Sequence, residues 1–338
     1  MIAKRSLYCV ALTGLLLSMS AYAEDPDPVY GDGDAAKKDP SSVVGSIPQI
    51  DLKFDYKVSA LLPKVPASLP TYLVQRVDPT SVDPSRDPVA QAFHFEAKAR
   101  GTDKSEDGAS SMMLIDADHR SLEYFSSGAV FYMEQELFSE RADDILAAQK
   151  LDRDSAAKLY AEQANELLTR HGLARKGMYL KDVSFIEVKS MGYQDRDETV
   201  KTVGAAAHYG YNIGNIPAWG PGAKTTVYFG PNGISGFYDA LPDLVPAKEV
   251  GIRSATSALQ SYMEQETPRT LYRLHTGAVH LVDIEQVELV YYVDAGNRNQ
   301  HEVAPYYLIQ GTFYALDVSS EKGGENQAEF VWLEPASS

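Results

Sequence analysis

Seven histidines are spread along the chain: His94, His119, His171, His208, His275, His280 and His301. A helical metal centre needs two imidazoles one turn apart, as in H-x-x-x-H, because residues four apart share a face. No pair has that spacing. His275 and His280 bracket T-G-A-V, which suits a loop entering a strand, so no metal ligand is assigned. A serine nucleophile is expected on a G-x-S-x-G elbow, where a sharp strand-to-helix turn lifts the hydroxyl clear. The nearest string, GISGF, lacks that spacing, and Ser235 reads as a strand residue. His208 borders an aromatic run and reads as a partly buried strand residue. Glu134, Glu136 and Glu140 follow one another in YMEQELFSE, and the last two would share a helical face. Paired carboxylates can hydrolyse a glycosidic bond. With 47 acidic residues in the chain, though, neighbouring carboxylates arise by chance, and a solvated acidic face is the reading adopted. No cofactor fingerprint is present, so no cofactor is expected.

The Gly-rich stretch WGPGAKTTVYFGPNG, from Trp219 to Gly233, asks whether it cradles a phosphate. A cradle needs successive backbone N–H groups opening a helix. Here Lys224 leads into the strand formers Val227, Tyr228 and Phe229, and two prolines have no N–H to give. GPGAK therefore reads as a turn entering a strand. GPNG reads as a hairpin turn at Asn232-Gly233, of the kind with positive φ at both central residues.

The elements that would hold these groups follow from periodicity. PTYLVQRV (Pro70–Val77) is rich in strand formers. DPVAQAFHFEAKARG reads as a helix with Asp87 as N-cap, Pro88 at the first position and Gly101 beyond its end. Met112–Gln135 reads as three strands split by DADHR and SSG. DRDSAAKLYAEQANELLTRHG is the clearest helix, with Asp154 as N-cap candidate and Ala156, Leu159, Tyr160, Gln163, Leu167 and Leu168 near one face. A second helix, RSATSALQSYMEQE, has Ser254 as N-cap candidate and Ala255, Ala258, Leu259 and Tyr262 on one face. Strands surround both. The expected fold is α+β: two cystatin-like units, each a helix packed on an antiparallel β-meander.

The expected boundaries are 1–23, a signal peptide; 24–50, a flexible acidic linker; 51–195, an N-terminal unit; and 196–338, a C-terminal unit. Lys4 and Arg5, the apolar run Leu7–Leu17 and the small-x-small Ala21-Tyr22-Ala23 carry the first of these. Cleavage after Ala23 would place the chain in the periplasm or outside the cell. Cys9 is the only cysteine and lies within that segment, so the mature chain would have neither disulfides nor thiol chemistry. EDPDPVYGDGDAAKKDPSS lacks a periodic apolar face, and its Asp-Gly-Asp run lacks the rest of a calcium loop. A formal net charge of −16 argues against nucleic acid and anionic membrane surfaces as partners. After the first apolar run, no stretch approaches the ~20 apolar residues of a membrane span.

His208–Leu316 resembles the PepSY-type and related propeptide modules of secreted thermolysin-like metalloproteases. The resemblance rests on Ile216, Pro217 and Gly220, then Asn232 and Gly233, then Ser254 and Ala258 in a helix, then Leu289, Val290 and Tyr291. It implies a helix held against a curved antiparallel sheet, and a role in inhibiting or chaperoning a partner. No H-E-x-x-H motif is present and no protease domain follows, so a free-standing module is expected.

Tyrosines cluster at Tyr209, Tyr211, Tyr228 and Tyr238, and again at Tyr291, Tyr292, Tyr306, Tyr307 and Tyr314. Strand propensity and core packing account for such clusters. An open sheet face lined with Tyr and Trp would instead be a recognition surface, and Tyr209, Tyr211 and Trp219 are its candidates. Two functions are expected from the sequence. One is a secreted, non-catalytic binding module for a protein or peptide, such as a protease inhibitor or propeptide-like partner. The other is an extracytoplasmic hydrolase with a carboxylate or Ser/His site assembled only in the fold.

Overall fold

A computed structural model describes residues 55–134, 144–191, 198–265, 278–317 and 324–338. Half of it is strand and 18% helix. Thirteen strands join one mixed sheet and three form another. The chain divides into two units: Pro70–Lys248 with Tyr291–Ala304, and Glu249–Val290 with Pro305–Ser338 and the residues up to Leu69.

The larger unit is built from two meanders. The first comprises β3 (Ala99–Lys104), β4 (Ser110–Ile115), β5 (Ser121–Phe125) and β6 (Val130–Met133), preceded in the chain by β1 (Asp55–Val58), β2 (Ser68–Val74) and helix α1 (Pro88–Ala92). Helices α2 (Ile145–Gln149) and α3 (Arg153–Arg170) then lead to β7 (Met178–Met191), β8 (Glu198–Ile213), β9 (Ile216–Trp219), β10 (Thr225–Gly230) and β11 (Gly233–Asp239). Strand β11 pairs antiparallel with β6, from Gly236↔Met133 to Asp239↔Val130. That pairing fuses the meanders into one antiparallel run, β7-β8-β10-β11-β6-β5-β4-β3.

Helix α3 starts at the N-cap Asp152, whose carboxylate accepts from Ser155 N. It buries Ala156, Tyr160, Ala164 and Leu168, a strict four-residue spacing. Its partners include the small Ala205 and Ala207 of β8, with Val227, Phe229 and Phe237 beside them. Small residues there let the helix approach the sheet closely. Tyr160 lies 4.7 Å from Phe229 between ring centroids.

The smaller unit contains β1, β13 (Ala278–Tyr292, through Val290), β15 (Pro305–Asp317) and β16 (Gly324–Pro335), with helix α4 (Ala255–Glu264). β1 runs parallel to β13. Ser254 caps α4 by accepting from Ser257 N, and Ala255, Ala258, Leu259 and Tyr262 are buried. Tyr262 packs on Tyr56, Phe330 and Trp332. The second sheet consists of β12 (Leu244–Gly251), β2 and β14 (Glu302–Val303).

The expected pair of cystatin-like units is therefore incorrect. Each half of the sequence repeats the order meander, helix, strands, but strand pairing ignores the halves. β7 and β8 pair from Met178↔Tyr211 to Met191↔Glu198, so the strands on either side of the expected boundary at 195/196 are partners in one sheet. The stretch resembling a propeptide module is divided as well: β8 to β11 lie in the larger unit, α4 and most of β13 in the smaller. The segment DPVAQAFHFEAKARG is also corrected. Helix α1 stops at Ala92, His94 takes a positive φ of 47°, and Gly101 lies inside strand β3. The expected signal peptide and acidic linker, with Glu136, Glu140 and His275, lie outside the described residues.

Candidate functional site

Antiparallel register brings together side chains distant in sequence. Asp182 of β7, His208 of β8 and Thr226 of β10 stand abreast, with Ser184 and Ala206 in the neighbouring row. Alternation puts this row on the face opposite Ala205, Ala207 and Tyr209. Ser184 Oγ lies 2.8 Å from His208 Nε2, and Thr226 Oγ1 lies 3.3 Å from Nδ1. Asp182 Oδ1 is 4.0 Å from the same Nε2 that Ser184 reaches. The Thr226 hydroxyl also bonds Tyr228, whose own ionisation burial pushes up to about 12. Two proton arrangements satisfy the chain: Ser184 donates to Nε2, Nδ1–H to Thr226 and Thr226 to Tyr228, or, reversed, Tyr228 donates to Thr226, Thr226 to Nδ1 and Nε2–H to Ser184. Burial holds His208 below its ordinary pKa of 6.5, opposed by Asp182 and assisted by Lys224 and Lys181. In the first arrangement a neutral imidazole accepts from a serine, which is the beginning of nucleophilic chemistry. Yet Ser184 sits within a 14-residue strand, not on an elbow that would present backbone N–H groups to an oxyanion.

The aromatic candidates are placed differently from one another. Tyr209 is 2% exposed and Tyr211 fully buried. Tyr209 donates to Asn165 Oδ1 of α3 at 2.9 Å. Tyr211 joins Thr225, Asp239 and Arg175 in a buried network: Thr225 Oγ1 donates to Asp239 Oδ1 at 2.8 Å and Arg175 Nε to Oδ2 at 2.7 Å. Their hydroxyls are spent on internal partners, and neither ring lies on an open face. Trp219 is half-buried, its ring 6.0 Å from that of Tyr292. The Gly-rich turn has a structural cause. A Cβ on Gly222 would stand 1.9 Å from Asp294 O, so only glycine permits this approach of two backbones.

Among the described residues, the most exposed large apolar side chain belongs to neither group. Leu61 is 94% exposed and Leu62 40%. They lie in SALLPKVPA, residues 59–67, between β1 and β2. The segment has no regular structure, yet both ends are fastened. Ser59 N and Ala60 N both donate to Ile284 O, at 2.9 and 3.1 Å. Ser59 Oγ donates to Asp283 Oδ1 at 2.7 Å, and Lys57 pairs with the other oxygen. At the far end Ile252 N donates to Ala67 O at 2.9 Å. Pro63 and Val65 are half-buried, whereas Leu61, Leu62, Lys64 and Pro66 point outward. Sequence reasoning missed this loop because its apolar pair has no period. The available signal was two leucines followed directly by Pro63, with a second proline at Pro66.

A shallow depression of about 390 Å³ lies over α4, lined by Arg253, Ser257, Gln260, Ser261, Glu264 and Gln265. At its edge the buried Glu334 carboxylate accepts from Arg253, Ser261, Gln265 and Trp332. Every strong group there is already satisfied within the fold. Among the described residues, no three His, Cys, Asp or Glu side chains converge as a metal site, and no helix is long and apolar enough to cross a membrane.

No protein-family model and no curated protein matches the chain. Among solved structures it is similar to an uncharacterized protein from Eubacterium rectale ATCC 33656, with a TM-score of 0.44 and 10% identity, over 86% of this chain and 90% of that one.

Proposed function

We propose that this chain is a non-catalytic binding module for a protein partner, inhibitor- or propeptide-like in action, working in the periplasm or outside the cell. The setting is inferred from the signal-like first 23 residues. One observation carries the function: Leu61, 94% exposed, held out on a segment fastened at both ends. A leucine so exposed contributes almost nothing to folding, and leaving it in water forgoes about 1.5–3 kcal/mol of burial. A partner that covers it recovers that energy. The test is capture from the native secretome with the full chain and with Leu61→Asp. The variant should melt as the parent does and lose the captured protein. Undiminished capture would refute the reading.

A hydrolase is the second reading, favoured by the 2.8 Å contact between Ser184 and His208. It requires that a fluorophosphonate label Ser184 and that His208→Gln abolish the labelling.

A further inference from the structure

We infer that the partner is an endopeptidase with an apolar primary specificity pocket, and that the Leu61–Leu62 peptide lies across its catalytic centre. This rests on the binding-module reading above and names the partner of the same loop. Endopeptidases receive their substrates as an extended strand, with main-chain hydrogen bonds for affinity and one side chain in a pocket for specificity. Residues 59–67 leave such a strand's place free, since they belong to no helix and pair in no sheet. Leu61, which would enter the pocket, is the most exposed large apolar side chain on the described surface. A flat apolar partner would instead need a contiguous patch, and the residues after Leu62 alternate inward and outward. Pro63 and Pro66 fix φ at two positions, so less chain entropy is lost on docking than for a free peptide.

Fastening both ends separates an inhibitor from a substrate. Hydrolysis would add water across the Leu61–Leu62 bond, leaving a carboxylate on Leu61 and an amine on Leu62. Ser59 and Ala60 stay bonded to Ile284, and Ala67 to Ile252. The new termini would therefore stay tethered to the fold on both sides of the cut. Before water enters, attack of the enzyme's nucleophile on the Leu61 carbonyl gives an acyl-enzyme and frees the Leu62 amine; that amine can re-attack the acyl carbonyl, expel the enzyme's nucleophile and restore the peptide, in competition with hydrolysis.

The experiment uses the full chain against chymotrypsin, whose pocket is apolar, and trypsin, whose pocket carries a carboxylate. Chymotrypsin should be inhibited competitively and trypsin not. Leu61→Asp should weaken inhibition of chymotrypsin by at least ~100-fold, and Leu61→Arg should transfer inhibition to trypsin. Melting curves on both variants guard against misfolding. Three outcomes overturn the inference: no inhibition of chymotrypsin, inhibition indifferent to Leu61, or rapid cleavage at 61–62 with no inhibition. If chymotrypsin is unaffected while Leu61→Asp still abolishes secretome capture, this inference fails and the binding module stands. If capture is also indifferent, both fall.

Discussion

At the scale of single residues, His208 gives the sharpest expectation. Its folded pKa is depressed, chiefly by burial. A depressed base contributes stability that is present above the unfolded value of 6.5 and drains away as pH falls through the lower folded value, because the unfolded chain takes up a proton that the fold resists. Melting temperature should therefore drop as pH falls below 6.5, and His208→Gln should flatten that part of the profile. An identical slope in the variant would remove His208 as its cause. Trp219, a binding candidate from the sequence, packs half-buried on Tyr292. Trp219→Ala should cost about 2 kcal/mol, between the value of an exposed aromatic pair and that of a fully buried Trp. If it instead leaves the melt unchanged and weakens partner capture, Trp219 belongs to the interface. Residue types alone were poor guides to such roles. Tyr209 and Tyr211 look like a recognition pair in sequence, yet internal acceptors claim both hydroxyls, and those acceptors lie on α3 and β11. Ser184 and His208 are 24 residues apart, and only the β7–β8 register makes them neighbours.

At the scale of elements, local signals served well where the cause was local. The three-strand meander, the helix over α3 and the Ser254 cap of α4 all appear where periodicity and capping chemistry put them. The N-cap of α3 shifts from Asp154 to Asp152, since both carboxylates suit a first turn and only geometry chooses between them. The β10–β11 hairpin exists, but its turn differs. Gly230 pairs with Gly233, so Pro231 and Asn232 form the tip, and only Gly233 takes a positive φ, of 111°. A proline in the tip keeps its own φ negative, which excludes a turn with two positive φ values. Gly233→Ala would meet no atom within 4 Å of its new Cβ. Its cost, about 1–3 kcal/mol, should come wholly from backbone strain, and a denaturant midpoint shifted at constant m would register it. Asn232→Ala should cost less, because Asn232 has no positive φ to hold. Calorimetric titration with ATP should show no binding for Gly222 or Lys224 to support.

At the scale of the whole molecule, the sequence was misleading for a stated reason. Its two halves repeat an order of elements, and nothing local reports that β11 closes on β6, about a hundred residues earlier. Such pairing is paid for by loop closure and leaves no mark in periodicity. It has a direct consequence for dissection. A fragment of residues 51–195 keeps α3 but loses β8, β10 and β11, and with them Ala205, Ala207, Val227, Phe229 and Phe237 beneath the helix. Circular dichroism should show no cooperative melt for that fragment, whereas the full chain should melt cooperatively. A fragment that melts sharply would mean that the first meander and α3 suffice as a core.

The fastening of residues 59–67 bears on how this protein could diversify. Every bond holding the loop is made by Ser59, Ala60 or Ala67, two of them through backbone atoms alone. Leu61, Leu62 and Lys64 carry no share of that work. Their identities are thus released from the demands of folding, and mutation can try new side chains there without endangering the scaffold. A library randomised at those three positions should emerge from expression almost undepleted, while randomising Ser59 or Asp283 should not. The loop would then be a replaceable key on a fixed handle, open to retargeting by selection in nature or at the bench.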